Sequence, residues 1–157
     1  MAILEDQVLA SLRRIIRATD IHSRRLNKDT GLTTPQLVVV RAIAAGDSLT
    51  ASEIARAVSL SQATVTTLLN RLEDRGLIAR QRSEEDRRRV NVQLTKAGRA
   101  LVATAPEPLQ EQFAARFAQL EAWEQHQLVA SLERVANMMD AEDLDAAPLL
   151  APGEDVG

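Results

Sequence analysis

A chain of 157 residues, 45% hydrophobic and 26% charged, can bury one core or support two small lobes that share one. Aromatic residues make up only 2%, so the core must be built from Leu, Ile, Val and Ala, which favours helices over a β-sandwich, and with no cysteine a disulfide framework, a thiolate zinc site and a thiol redox switch are excluded. The net charge of −3 argues mildly against a nucleic-acid partner, although its distribution reverses that argument. The apolar runs fall short of the ~18 residues that cross a bilayer, so no membrane span is expected. The start, Met1-Ala2-Ile3-Leu4-Glu5-Asp6, has no basic segment of the kind that opens a signal peptide, and a cytoplasmic protein is expected.

Residues 4–28 read as one long amphipathic helix, because Leu4, Val8, Leu12, Ile15, Thr19, His22 and Leu26 recur at three- and four-residue spacing. Gly31 ends it. Thr34 is expected to cap a second helix with Pro35 at its first position and Leu37, Val38, Val40 and Ile43 behind it. Thr50-Ala51-Ser52-Glu53 has the Thr-x-x-Glu pattern of a capping box and predicts a short third helix through Val58. Ser59-Leu60-Ser61 is a tight break. Ser61 then caps a fourth helix to about Arg75, with Val65, Leu68, Leu69 and Leu72 inward and Gln62, Thr64, Thr66, Thr67, Asn70 and Arg71 outward. Gly76 is placed to end that helix in a left-handed conformation.

Beyond Gly76 the period changes from helical to alternating. Leu77–Arg82 and Arg89–Leu94 predict two strands, and the polar run Ser83-Glu84-Glu85-Asp86-Arg87-Arg88 joins them as a hairpin. Thr95 caps a further helix to about Thr104, which Pro106 and Pro108 interrupt. Leu109, Phe113, Phe117 and Leu120 continue the pattern. A last helix spans 122–139 with Leu128, Leu132, Val135 and Met139 on one side, and 140–157 is expected to be an acidic, unstructured tail.

A short helix, a tight break, a second helix and a hairpin make the order of a winged helix-turn-helix. In that arrangement the second helix lies in the major groove with its N-terminal residues at the base edges. Ser61, Gln62, Thr64, Thr66 and Thr67 hold those positions here, and Gln62 can pair with adenine through two hydrogen bonds while threonine methyls suit thymine. Asn70 and Arg71 lie further along, nearer phosphates. A polar solvent face on an ordinary helix is the competing reading of that surface. Residues 61–99 carry nine basic residues against five acidic, whereas 100–157 carry two against eleven, so positive charge is concentrated in the segment of the second helix and the hairpin rather than spread over the chain. Arg82, Arg87, Arg88 and Arg89 concentrate at and beside the hairpin tip, where arginine can enter the minor groove. Asp86, an acid among them, is expected to brace the tip.

The stretch Ser61–Gly98 resembles the MarR family of winged-helix regulators. The resemblance is carried by Asp74-Arg75-Gly76-Leu77-Ile78, by Asp86-Arg87-Arg88 and by Leu94-Thr95-x-x-Gly98, and it extends over residues 4–139. It implies a mainly α (α+β) fold, a winged helix-turn-helix between long N- and C-terminal dimerisation helices. The resulting organisation is a dimerisation helix over 1–32, the DNA-binding domain over 33–99, dimerisation helices over 100–139 and the tail over 140–157. It further implies a homodimeric transcriptional regulator, typically a repressor, on a pseudo-palindromic double-stranded DNA site, and by position it gives Asp86 the wing-bracing role and Arg88 the minor-groove role.

Relatives of this kind often release DNA on binding a small-molecule effector. His22, Arg25 and Arg41 form a candidate anion-binding cluster for one, set against the plainer reading that His22 packs at an interface and the arginines are surface groups. Trp123 reads as a dimer anchor. No cofactor or metal is expected. An enzyme is excluded on residue types: His22 and His126 are the only histidines, and neither a Gly-rich phosphate loop nor a nucleophile elbow occurs. A protein-interaction module whose wing no longer meets DNA is the remaining alternative.

Overall fold

The computed structural model describes residues 2–144 and 149–150. Among them, the elements follow in the order α1 (Ala2–Thr30), α2 (Thr34–Ala45), α3 (Ala51–Val58), α4 (Gln62–Asp74), β1 (Ile78–Arg82), β2 (Val90–Leu94), α5 (Lys96–Thr104), α6 (Leu109–Phe117) and α7 (Ala122–Met138). The fold is therefore mainly helical with a single antiparallel hairpin, in which Ile78 faces Leu94 and Arg82 faces Val90. Leu49, just before α3, adds one bridge to Val92 and gives the hairpin a third backbone neighbour.

Local chemistry sets the boundaries. Gly31 adopts φ +70 and closes α1, donating its amide to the Asn27 carbonyl. The cap of α2 is Thr33, not Thr34. Thr33 accepts from the Gln36 amide, and its own amide donates to Gln36 Oε1, so Pro35 is the second residue of the helix rather than the first. The same reciprocal box, Thr50 with Glu53, opens α3 as its spacing predicts. Ser59 is left-handed at φ 57 and ends α3; two residues later the Ser61 hydroxyl accepts from the Thr64 amide and starts α4. Gly76, at φ +71, then turns the chain out of α4 into β1.

Residues 2–108 form one unit by their contacts and 109–150 another. The first holds the core: α2 supplies Leu37, Val39, Val40 and Ile43, α3 Ile54, Ala55 and Val58, and α4 Val65, Leu68, Leu69 and Leu72, with Leu77, Ile78, Val92 and Leu94 closing it from the hairpin. At roughly 1.5–3 kcal/mol for each large aliphatic side chain, this cluster accounts for most of the unit's cohesion. Among the described side chains of α1 only Thr19, Leu26 and Thr30 are buried, so that helix is held mainly by its last turns. Its earlier apolar residues, Val8, Ile15 and Ile16 among them, are exposed.

In the second unit neither α6 nor α7 buries a residue. The rings of Phe113 and Phe117 stack at 5.4 Å, and Gln125 Nε2 donates to the Phe117 and Leu120 carbonyls. Where the sequence places Glu121 instead of Ser or Thr, the carboxylate of Glu124 accepts the Glu121 amide at 2.9 Å and starts α7. The expected unstructured tail over 140–157 lies largely outside the described residues. Its first part, Asp140–Leu144, is a turn: Asp140 is left-handed, and the Ala141 amide donates to the Ala136 carbonyl.

Candidate nucleic-acid interface

The outward face of α4 is exposed at Gln62, Ala63, Thr66, Thr67, Asn70 and Arg71, with Thr64 half-buried beside them. Local bonds decide what these side chains can offer. Thr66 Oγ1 donates to the Gln62 carbonyl at 2.8 Å, and Thr67 Oγ1 donates to the Ala63 carbonyl at 3.2 Å. Each hydroxyl has spent its proton inside the helix, so its lone pairs and methyl group are what remain for a partner. That suits an amino group of adenine or cytosine and the thymine methyl. Ser61 and Thr64 are tied to each other at 2.8 Å at the start of the helix. Gln62 keeps its side-chain amide available, with both donor and acceptor.

Asn70 is engaged differently. Its Oδ1 accepts from Arg80 Nη2 at 2.8 Å while Arg80 Nη1 meets Glu73 at 3.0 Å, so one guanidinium from β1 clamps the outer edge of α4 to the hairpin. The Asn70 amide nitrogen is left as a donor. Arg80 did not figure among the expected site residues, and its i+7 and i+10 spacing to acid and amide gives no periodic signal that would have marked it.

The hairpin tip is braced by its own polar groups. Ser83 Oγ accepts from the amides of Glu85 and Asp86, and Asp86 Oδ1 accepts from the Arg88 amide at 2.9 Å. The Asp86 carbonyl accepts from the Arg89 amide, and the Arg89 carbonyl from Ser83. Asp86 thus braces the backbone rather than pairing with an arginine side chain. Arg82, Arg87 and Arg88 are exposed, and no ion pair to a described carboxylate holds them.

Arg89 stands apart from that group. Its guanidinium donates to both Glu53 oxygens at 3.0 and 2.8 Å, to the Ser48 carbonyl and to Asn91 Oδ1. It is a strut between the wing and the start of α3, and four of its five N–H donors are committed inside the fold. The Thr50 amide, with Arg89 second, holds the Glu53 carboxyl below the usual carboxylate range. A depressed carboxyl contributes above its unfolded pKa and loses that contribution as pH falls through the folded value. The wing is therefore expected to loosen only in acid. Protection factors of the Val90–Leu94 amides, which allow for the slowing of intrinsic exchange as pH falls, should drop in acid for the native protein and be low at every pH in Glu53→Gln.

The candidate effector cluster is less concentrated. His22 is half-buried, with Nε2 shielded from water and unpaired; burial, then Arg25, pushes its pKa down and keeps the ring neutral at neutral pH. Arg25 turns to Asp29 at 3.6 Å on the solvent side of α1. Arg41 lies on α2 and is half-buried. A cleft of about 470 Å3 opens elsewhere, between the end of α2, β2 and α5, with Ile43, Leu94 and Val102 as apolar walls and Arg99 at its rim; none of the three cluster residues lines it.

Comparison with known proteins agrees with this geometry. The sequence profile of the MarR family matches residues 32–90, which covers the helix-turn-helix and most of the wing. An HTH-type transcriptional repressor of Mycobacterium tuberculosis is 33% identical over 107 residues, 68% of this chain and 77% of that protein. The homoprotocatechuate degradative operon repressor of Escherichia coli is 28% identical over 130 residues, 83% of this chain and 88% of that one. Among solved structures, Staphylococcus aureus MepR bound to DNA superposes with a TM-score of 0.59 at 27% identity, covering 83% of this chain and 96% of that one.

Proposed function

The chain belongs to the MarR family and is a DNA-binding transcription regulator; we propose that it reads its operator with Ser61, Gln62, Thr64, Thr66 and Thr67 in the major groove and Arg88 in the minor groove. Asn70, Arg71, Arg82 and Arg87 meet phosphates beside these base contacts. Arg89 is left out of the contact set, because four of its five N–H donors are engaged inside the fold. The protein works as a homodimeric repressor on a pseudo-palindrome in the cytoplasm, on the nucleoid, and a small-molecule effector releases it. Residues 33–99 form the DNA-binding domain, and α1, α6 and α7 supply the dimer interface.

The observation that carries this reading is one of supply. A single winged unit presents an exposed hydroxyl and amide face on α4 and, beyond β1, two exposed arginines on a tip whose backbone is braced from within. A braced tip that holds two arginines out to solvent has no packing role in its own unit, and an arginine side chain suits the narrow, negative minor groove.

Capture of random genomic fragments by the purified protein, with Arg88→Ala alongside, tests it. Native protein is expected to enrich a pseudo-palindrome, with affinity falling on a log–log salt plot by roughly 0.9 per phosphate neutralised. Arg88→Ala should weaken binding by about 1–3 kcal/mol, and Gln62→Ala should relax preference at one base step in each half-site more than it lowers affinity. A flat salt response, or fragments no different from bulk DNA, would sink the reading in favour of a protein-interaction module.

A further inference from the structure

Arg75, the residue that closes α4, does not face the proposed DNA surface. Its Nη1 donates to the Gly31 carbonyl at 2.9 Å and its Nη2 to the Thr30 carbonyl at 3.1 Å. Those two oxygens belong to the end of α1, where helical carbonyls have no partner within the helix and the dipole is negative. A guanidinium fork answers both needs at once. Gly31 is built for the contact on its own account: it is left-handed, and a Cβ there would stand 3.0 Å from Arg75 Nη2.

This pin has unusual leverage because α1 has few other holds. Among its residues whose burial is described, only Thr19, Leu26 and Thr30 are buried, all in the second half of the helix. A helix of 29 residues is about 43 Å long, so a tilt of about 10° at its pinned end moves the other end by roughly 7 Å. Half-sites read by a dimer must lie a whole helical turn apart or a multiple of it, and an error of that size spoils the register.

We propose that Arg75 is a positioning residue that fixes the bearing of recognition helix α4 on dimer helix α1 and thereby sets the spacing between half-sites the regulator accepts. The inference rests on the reading of α4 as the base-reading helix. It assigns Arg75 no contact with DNA. The residue acts through the angle between two helices, and its loss is expected to change which operators bind more than how tightly one half-site is held.

Two measurements separate this inference from the reading beneath it. The first is selection from a library in which two fixed half-sites are separated by spacers of every length, with the native protein, Arg75→Gln and Arg75→Lys. Native protein is expected to choose one spacer sharply, and Arg75→Gln to flatten that choice by at least about fivefold, the loss expected when a charged fork becomes a single neutral donor. Arg75→Lys, which keeps the charge and the stem, guards against loss of fold and should fall between. If the native protein prefers no spacer, the DNA reading itself fails; if both variants keep the native choice, only the role of Arg75 fails.

The second measurement needs no DNA. The chain has no cysteine, so Ala63→Cys places a single spin label on the exposed face of α4. The distance distribution between the two labels of a dimer is expected to be narrow with Arg75 present and broad with Arg75→Gln at an unchanged helix content. An equally narrow distribution would overturn the proposal, since a residue that only adds stability would leave it unmoved.

Discussion

Replacing Gly98 by alanine is expected to cost the fold about 3 kcal/mol or more, although alanine is the better helix former by roughly 1 kcal/mol. The expectation follows from how α5 enters. Thr95 caps that helix, accepting the Gly98 amide, and its hydroxyl donates to the Gly76 carbonyl at 2.6 Å while its amide donates to the Leu77 carbonyl. These bonds press the first turn of α5 onto the chain leaving α4. A Cβ at Gly98 would run into the Leu77 carbonyl oxygen, with the carbonyl carbon only 3.0 Å away. That is backbone, held at both ends, and it cannot swing aside as a side chain would. Urea unfolding should show the loss as a lower midpoint, and a Gly98→Ala protein as stable as the native one would refute the packing argument. Ala100→Gly is the control: Ala100 is exposed on the same helix, and only the ordinary helix penalty of about 1 kcal/mol is expected there.

The Gly98 geometry also explains why the segment from Gly76 to Gly98 is so legible in the sequence. Each of its signals has a local cause: a left-handed glycine at 76, alternation over the two strands, a threonine cap at 95 and a close approach at 98. Local causes can be read from spacing alone. The misplaced cap of α2 belongs to the same class, since Thr33-x-x-Gln36 is a capping box and it outranks the neighbouring Thr34.

What spacing cannot show is where a guanidinium will find its acceptors. Arg75, Arg80 and Arg89 all lie in the basic segment and look alike in sequence, yet they reach the end of α1, the edge of α4 and the start of α3. Two of the three use backbone carbonyls more than 40 positions away, groups that every residue carries and that only the tertiary fold makes available. The basic segment thus overstates the positive surface open to phosphate. Arg82, Arg87 and Arg88 carry the part that remains at the wing.

Leu132→Asp is expected to convert the dimer into folded monomers and to lower affinity for a two-half-site operator by about a hundredfold or more, the scale on which linked binding events lose avidity. Leu128 and Leu132 on α7 and Met139 just beyond its end recur at helical spacing and are each at least 42% exposed in the single chain. On α1, Val8, Ile15 and Ile16 are exposed to a similar degree. Apolar faces on that scale mark association surfaces rather than solvent faces. An aspartate placed within such an interface would have to lose water without gaining a partner, at several kcal/mol per copy and twice per symmetric dimer. The single tryptophan supplies the readout: Trp123 is 66% exposed in one chain, so its emission should be shielded in the native dimer and shift to the red on dissociation. Sedimentation should give the mass of one chain for Leu132→Asp and of two for Leu132→Met, with the amide protection of β1 and β2, which rest on the core of the winged unit, alike in both. A Leu132→Asp protein that remained dimeric would remove this face of α7 from the interface. A monomer that kept native affinity for the full operator would show instead that one winged unit suffices, and the symmetry of the site would then have no physical cause.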